Sequence, residues 1–166
     1  QRQEEDANLI KKEGIIEALK KLLENPEGDV LAKVRELQAA WNEVGHVPFR
    51  KKEKIYRRYR EVCDKLYDGL HAKADRRRME NFKKSVGEKG GSELQRERNR
   101  LMNAYEAKRQ EIQTYETNLT FLNAKSKSGN SLLGELAKKV DRLKEELAQI
   151  AEKVQAVNEQ LKAEKE

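Results

Sequence analysis

The chain has 166 residues and a formal net charge of +6; 40% of its residues are charged, 36% are hydrophobic and 5% are aromatic. This apolar content argues against one large spherical core and favours elongated helices with narrow apolar seams. The single cysteine, Cys63, excludes an internal disulfide, and no apolar run approaches the roughly 18 residues needed to span a bilayer. We therefore expect a cytoplasmic protein without a membrane partner.

The first two helices are predicted by apolar residues at helical spacing. One helix is expected from about residue 4 to residue 24, where an Asn-Pro-Glu-Gly segment ends it. Asp29 is a good N-cap for the second helix, because its side chain can accept a hydrogen bond from the first turn. The apolar positions are Leu9, Ile16, Leu19 and Leu23 in the first helix, and Val30, Val34, Leu37, Trp41 and Val44 in the second.

A joint that contains Trp, Gly and Pro follows the second helix. Trp41 belongs to the apolar series of that helix, which predicts a buried anchor instead of an exposed ring that stacks on bases. Gly45 is expected to end the helix, and Pro48 prevents its immediate continuation. The joint therefore redirects the chain so that the next helix packs on the same core.

The third helix is predicted from about Arg50 to Val86. Its first half carries an apolar stripe and can complete a three-helix bundle over residues 1–86. The stripe is formed by Ile55, Tyr59, Val62, Leu66 and Leu70, with Tyr56, Cys63 and Tyr67 beside it. The second half has few apolar positions, so we expect it to project into solvent or to meet another unit.

A Gly-rich linker at residues 87–91 is expected to separate this bundle from an antiparallel coiled-coil hairpin at residues 92–166. The hairpin is predicted by heptad spacing in two helices joined by a short polar loop. The first helix carries Leu94, Leu101, Tyr105, Ile112, Tyr115, Leu119 and Leu122, with Arg98 and Lys108 as polar exceptions; the second carries Leu133, Leu136, Val140, Leu143, Leu147, Ile150, Val154, Val157 and Leu161. The seam needs a partner, so hairpin formation and self-association are both open.

The Trp joint and the residues after it resemble a known repeat family. The motif reads Leu37-Gln38-x-x-Trp41-x-x-x-Gly45-x-Val47-Pro48, followed by Lys54-Ile55-Tyr56-x-x-Tyr59-Arg60-x-x-Cys63-Asp64. It is similar to the bacterial tandem helical repeat family known only as domain of unknown function number three hundred and forty-nine, with residues 8–85 as one repeat. Ile55-Tyr56 and Tyr59 stand where that family typically has Leu-Trp and Phe.

The resemblance implies tandem helical repeats with no established activity or cofactor. The hairpin resembles the terminal segment of Bacteroidetes-type members, so the resemblance also implies the C-terminal part of a longer array.

Two patterns resemble chemical sites, and each is incomplete. The loop from Lys125 to Ser131 has small residues and lysines before a helix, which suits a phosphate, but the strand and residue order of a P-loop are missing. We interpret it as a hairpin turn. Asp68 and His71 share a helix face, whereas a metal site in a bundle needs ligands from several helices. We expect no enzymatic activity, no cofactor and no metal.

Positive charge is concentrated in the middle of the chain. Residues 50–84 contain 14 basic and 6 acidic residues (net +8), against 7 and 10 in residues 1–49 (net −3) and 15 and 14 in residues 85–166 (net +1). On a helical wheel, Lys51, Lys54, Arg58 and Lys65 lie along one flank of the apolar stripe, and Arg76, Arg77 and Arg78 add a compact cluster.

These features favour a non-enzymatic scaffold or adaptor that binds an unknown protein. The alternative is a nucleic-acid- or ribosome-associated protein that places these seven basic residues on phosphates of RNA or DNA. A third interpretation leaves them as solvated side chains that cover apolar surface.

Overall fold

The computed structural model describes residues 1–125 and 131–165, and the regular secondary structure of these residues is entirely helical. The helices are α1 (Arg2–Glu24), α2 (Val30–Glu43), α3 (Phe49–Gly87), α4 (Gly91–Lys125) and α5 (Ser131–Lys165). The predicted all-α class is confirmed. Among the described helices, none combines the length and the apolar character needed to cross a membrane. The chain divides into two compact units, Gln1–Arg76 and Arg77–Glu166.

The core of the first unit is built from three helices. It is formed by Leu9, Ile16, Leu19 and Leu22 of α1, Val34 and Trp41 of α2, Val47 of the joint, and Ile55, Tyr59, Val62, Cys63 and Leu66 of α3. The predicted apolar faces therefore meet in one cluster. In α1 the final buried position is Leu22, and the predicted Leu23 is only half-buried against the cluster.

The two ends of α2 differ in how well they follow the sequence prediction. Asp29 caps the N-terminus as expected, since its Oδ1 accepts a hydrogen bond from the backbone N–H of Ala32 at 3.1 Å. At the other end, the helix stops at Glu43 and the next residue, Val44, is extended. The prediction that Gly45 provides the helix stop is wrong, because the helix ends before Gly45 and this glycine does not adopt a positive φ. Among the described glycines, a positive φ is found at Gly28, at 68°.

The second unit contains a long helical hairpin made by α4 and α5. Lys108 of α4 contacts Glu146 of α5, and Glu116, further along α4, contacts Lys144, earlier in α5, so the helices are antiparallel. Each predicted apolar seam position from Leu94 to Leu122 and from Leu133 to Leu161 is buried or half-buried. The loop at residues 126–130, which carries most of the phosphate-like pattern, lies outside the described residues.

The division between units falls earlier than the Gly-rich linker. Helix α3 runs to Gly87, and its last turns belong to the second unit, where Val86 packs with Leu94 and Val157 and is joined by Phe82. These apolar contacts move the division to Arg76 and Arg77. The glycine segment therefore forms a short turn inside the second unit, between α3 and α4.

Candidate nucleic-acid interface

The Trp joint is a packed structural site. Trp41 is 5% exposed and stacks on Tyr59, with ring centroids 3.9 Å apart and ring planes 9° from parallel. The Nζ atom of Lys12 lies over the Trp41 ring, 4.4 Å from its centroid. Burial, as the largest cause, raises the pKa of the Tyr59 hydroxyl above its ordinary value. Trp41 and Tyr59 are therefore core residues, as predicted, and neither presents a free ring to a ligand.

Gly45 has a role that depends on a residue far away in the sequence. The Nδ2 atom of Asn8 donates a hydrogen bond to the backbone oxygen of His46 at 2.8 Å. A Cβ atom on Gly45 would lie 3.0 Å from that same nitrogen. The glycine thus leaves room for a side chain that ties α1 to the joint. This role was not predicted from the sequence, where its local signal is an Asn, a weak helix former, inside α1.

Four basic residues form the predicted flank of α3, which we call the basic flank: Lys51, Lys54, Arg58 and Lys65. Lys51, Lys54 and Lys65 are exposed and Arg58 is half-buried. No carboxylate in the described part of the chain lies within salt-bridge distance of any of them. The structure therefore leaves these charges available to an external anion.

The predicted arginine cluster does not extend this flank as a whole. Arg76, Arg77 and Arg78 are exposed and helical, but consecutive helical residues point about 100° apart. Arg76, eleven residues after Lys65, returns to nearly the same direction, while Arg77 and Arg78 turn away from it. Arg76 also closes the first unit, and the other two arginines belong to the second.

The N-terminus of α3 strengthens the positive charge. Arg50, Lys51 and Lys52 lie in its first turn, which contains no acidic residue. The helix dipole places partial positive charge at the same end, so these cations are destabilising for the helix. Their position is the reverse of the arrangement that stabilises a helix, and it concentrates a positive potential that attracts anions.

A shallow recess beside this helix end adds two further basic groups, Lys12 and Lys52, which were not among the predicted site residues. It measures about 290 Å³ and is lined by Lys12, Val44, Gly45, His46, Val47 and Lys52. The pKa of Lys12 is lowered, first by burial and then by the charge of Lys52. The recess thus holds two like charges without a carboxylate among its lining residues.

Exposed aromatic rings lie on the other flank of α3. Phe49 is 88% exposed, Tyr56 50% and Tyr67 38%, and we call these three residues the aromatic row. The Tyr56 hydroxyl accepts a hydrogen bond from Arg60 at 3.5 Å, and the Tyr67 hydroxyl donates one to Oε1 of Gln38 at 2.9 Å. Tyr56 and Tyr67 were predicted beside the apolar stripe, whereas no role was predicted for Phe49.

Neither the cysteine nor the histidines form a wider cluster in the described residues. Cys63 is buried and its Sγ accepts a hydrogen bond from Gln38 at 3.6 Å. His71 pairs with Asp75 at 3.3 Å and not with the Asp68 considered from the sequence. Within residues 1–125 and 131–165, no group of three His, Cys, Asp or Glu side chains is arranged to hold a metal ion.

A family model matches the first part of the chain. No curated protein and no solved structure is significantly similar to the chain. The family model described as Domain of Unknown Function (DUF349) matches residues 1–50, which contain α1, α2 and the Trp joint. The match ends just after Pro48, so it covers the first part of the resemblance predicted for residues 8–85. Over residues 1–50, the chain is therefore similar to the DUF349 family.

Proposed function

We propose that the chain is a non-enzymatic helical module that binds nucleic acid through the basic surface of α3. The main support is that the basic residues between residues 50 and 65 have no salt-bridge partner among the described residues. Eight basic residues lie there, against three acidic ones, and none of the eight is within salt-bridge distance of a carboxylate among the described residues. They are Arg50, Lys51, Lys52, Lys54, Arg57, Arg58, Arg60 and Lys65.

Unpaired cations on one helix are suited to a phosphate backbone. Lysine and arginine side chains that neutralise phosphates release condensed counterions, which drives binding that depends on salt and little on sequence. The cations in the first turn of α3 oppose the helix dipole, and a bound phosphate would offset this repulsion. Stabilisation of the helix alone would favour acidic residues at this end.

A second candidate is a scaffold or adaptor that binds another protein. It is favoured by large apolar side chains that are exposed elsewhere, namely Ile10 at 70% and Phe121 at 61%. Isolated exposed apolar residues are common on protein surfaces, so this support is weaker than that of the unpaired cations. Self-association of the hairpin and a cytoplasmic location belong to both candidates.

The proposal is tested by fluorescence anisotropy with labelled RNA and DNA oligonucleotides at about 50 mM salt. One variant combines Lys51→Gln, Lys54→Gln and Lys65→Gln on the basic flank. Its control combines Lys108→Gln, Arg109→Gln and Lys144→Gln, which remove the same net charge from paired residues of the hairpin. We expect the first variant to bind at least about 10-fold more weakly than the parent, and the control to bind within about two-fold of it.

Two results would overturn the proposal. In one, the parent protein binds neither RNA nor DNA, which would leave the adaptor as the better candidate. In the other, both triple variants lose affinity equally, so that net charge alone and not the position of the cations determines binding. Circular dichroism of both variants checks that the helical content is unchanged.

A further inference from the structure

We infer that the nucleic acid bound by this module is single-stranded, and that its bases stack on the aromatic row of Phe49, Tyr56 and Tyr67. The inference rests on the proposed function and specifies its substrate. A phosphate-binding surface alone accepts duplex and single strand alike, whereas free aromatic faces favour unpaired bases. Stacking on aromatic side chains is general for single strands, because each base has a π-face.

The three rings are aligned along one side of α3. Tyr56 follows Phe49 by seven residues and Tyr67 follows Tyr56 by eleven, which correspond to about two and three helical turns. The row therefore extends over about 27 Å at 1.5 Å per residue. This length is suited to an extended strand of several nucleotides.

Cations alternate with the rings in this row. Lys52 lies three residues after Phe49 and four before Tyr56, and Arg60 lies four residues after Tyr56, so each is a helical neighbour of a ring. Both are exposed, and the Arg60 guanidinium contacts the Tyr56 hydroxyl. Rings can therefore contact bases while the adjacent ammonium and guanidinium groups contact the phosphates between them.

The rings are partly oriented before any ligand binds. The hydroxyl of Tyr67 is held by Gln38 at 2.9 Å, and the ring of Tyr56 lies 6.4 Å from the ring of Tyr59, tilted by 35°. The first contact occupies the Tyr67 hydroxyl group, and the second occupies one side of the Tyr56 ring. Both side chains stay substantially exposed. Phe49, at the first position of α3, is the most exposed of the three.

Charge complementarity favours nucleic acid over an apolar protein surface as the occupant. A docked apolar partner would place Lys52 and Arg60 against uncharged groups and desolvate them. The carboxylate of Asp64 would offset part of this cost at Arg60. An acidic protein remains the competing occupant, and the test includes it. Glu53 and Asp64, both exposed, are acidic neighbours of the rings and are expected to weaken phosphate binding slightly.

The test compares one 12-nucleotide single strand with its duplex in the same anisotropy assay. The parent is expected to bind the single strand at least about 10-fold more tightly. The combined variant Phe49→Leu/Tyr56→Leu, which keeps apolar side chains but removes two π-faces, is expected to lose at least about 10-fold in single-strand affinity while its duplex affinity is unchanged. Phe121→Leu, an exposed aromatic of the hairpin, is the matched control and should change neither.

Two variants of Tyr67 separate the contribution of its ring to binding from that of its hydroxyl group. Tyr67→Phe loses the hydrogen bond to Gln38 and keeps the π-face, so we expect it to retain single-strand binding, whereas Tyr67→Leu should weaken it. Equal affinity for single strand and duplex, with no effect of the leucine variants, would overturn the inference and leave phosphate binding intact. Displacement of the strand by poly-glutamate at equal charge concentration would overturn it in favour of an acidic protein. If the parent binds neither probe, the proposed function itself fails.

Discussion

The first part of α3 and the α4–α5 hairpin are both rich in cations, but they use them differently. In the hairpin, Lys108 lies 2.8 Å from Glu146, and Lys144 lies 3.3 Å from Glu116 on the opposite helix. In α3, the basic flank has no such partner among the described residues. Paired charges in the hairpin help to align its two helices, whereas the cations in the first turn of α3 oppose the helix dipole and cost stability unless a ligand neutralises them. This difference is our reason for placing function on α3.

The two regions also differ in how they are packed. The first unit surrounds a stacked Trp41–Tyr59 pair, and the hairpin has a narrow, mainly aliphatic seam with two polar interruptions. Both interruptions are satisfied across the hairpin: Arg98 donates to Asn158 at 2.7 Å, and Lys108 donates to Glu146. Polar seam residues of this kind specify the register of a coiled coil. The first unit is instead stabilised at one aromatic site.

Removal of that aromatic site is expected to have the largest effect. Trp41→Ala leaves a cavity beside Tyr59 and removes the cation–π contact with Lys12, so it should lower the free energy of unfolding by about 3–5 kcal/mol. Trp41→Phe should lose less, because a ring remains. Urea denaturation followed by circular dichroism measures both. Equal stability of Trp41→Ala and the parent would contradict the packing described for the first unit.

A smaller effect is expected at the Asn8–Gly45 contact. Asn8→Ala removes a hydrogen bond and should cost about 1 kcal/mol of unfolding free energy, and Gly45→Ala should cost a similar amount by crowding the Asn8 side chain. The double variant should be no less stable than Asn8→Ala alone, because the crowded atom is gone. A double-mutant cycle checks this. Additive losses would show that the two residues act independently.

Single charge removals should have opposite signs in the two regions. Lys52→Gln relieves repulsion from Lys12 and from the helix dipole, so it should raise the free energy of unfolding by about 0.3–1 kcal/mol while weakening oligonucleotide binding. Lys108→Gln breaks its contacts with Glu146 and Glu111 and should lower the free energy of unfolding by at most about 1 kcal/mol. Thermal unfolding compares the two variants. Destabilisation by Lys52→Gln would contradict the interpretation that Lys52 destabilises the free protein and contributes to binding.

One group in each region should make the free energy of unfolding depend modestly on pH in the alkaline range. Burial raises the pKa of Tyr59, so its stabilising effect is complete below the ordinary value of 10.0 and is lost as pH rises above it. The hydrogen bond with Glu146 raises the pKa of Lys108, whose contribution is likewise lost as pH rises above 10.5.

We expect the free energy of unfolding to fall between about pH 9 and about pH 11, and to fall less in Tyr59→Phe. Lys12, with a lowered pKa, acts in the opposite direction, since its folded form favours the neutral amine as pH rises toward 10.5. Urea titrations at the two pH values measure the difference. An unchanged pH dependence in Tyr59→Phe would show that this hydroxyl is not the responsible group.

Features that depend on local periodicity were predictable from the sequence. The helices, the Asp29 cap, the burial of Trp41 and the seam of the hairpin follow from apolar spacing and capping chemistry. The role of Gly45 was not, because it depends on Asn8 in another helix. The division at Arg76 was also missed, since it depends on how Phe82 and Val86 pack in three dimensions.

The candidate site was predictable in part for the same reason. Helical spacing predicts that the basic flank lies on one side of α3, but whether a lysine has a carboxylate within reach is a tertiary property. Spacing also suggested one compact cluster at Arg76–Arg78, although adjacent helical residues point in different directions. Phe49 gave no signal in the sequence because its exposure depends on where the joint directs the chain.

The most direct test of the central claim is the salt dependence of duplex binding. The slope of log Kd against log salt concentration counts the phosphates neutralised, at about 0.9 per phosphate for B-DNA. For the Lys51→Gln/Lys54→Gln/Lys65→Gln variant we predict a slope smaller by about 2.7 than that of the parent, whereas the Lys108→Gln/Arg109→Gln/Lys144→Gln variant should keep the parental slope. An unchanged slope in the first variant, or an equal decrease in both, would contradict the assignment of phosphate contacts to the unpaired cations of α3.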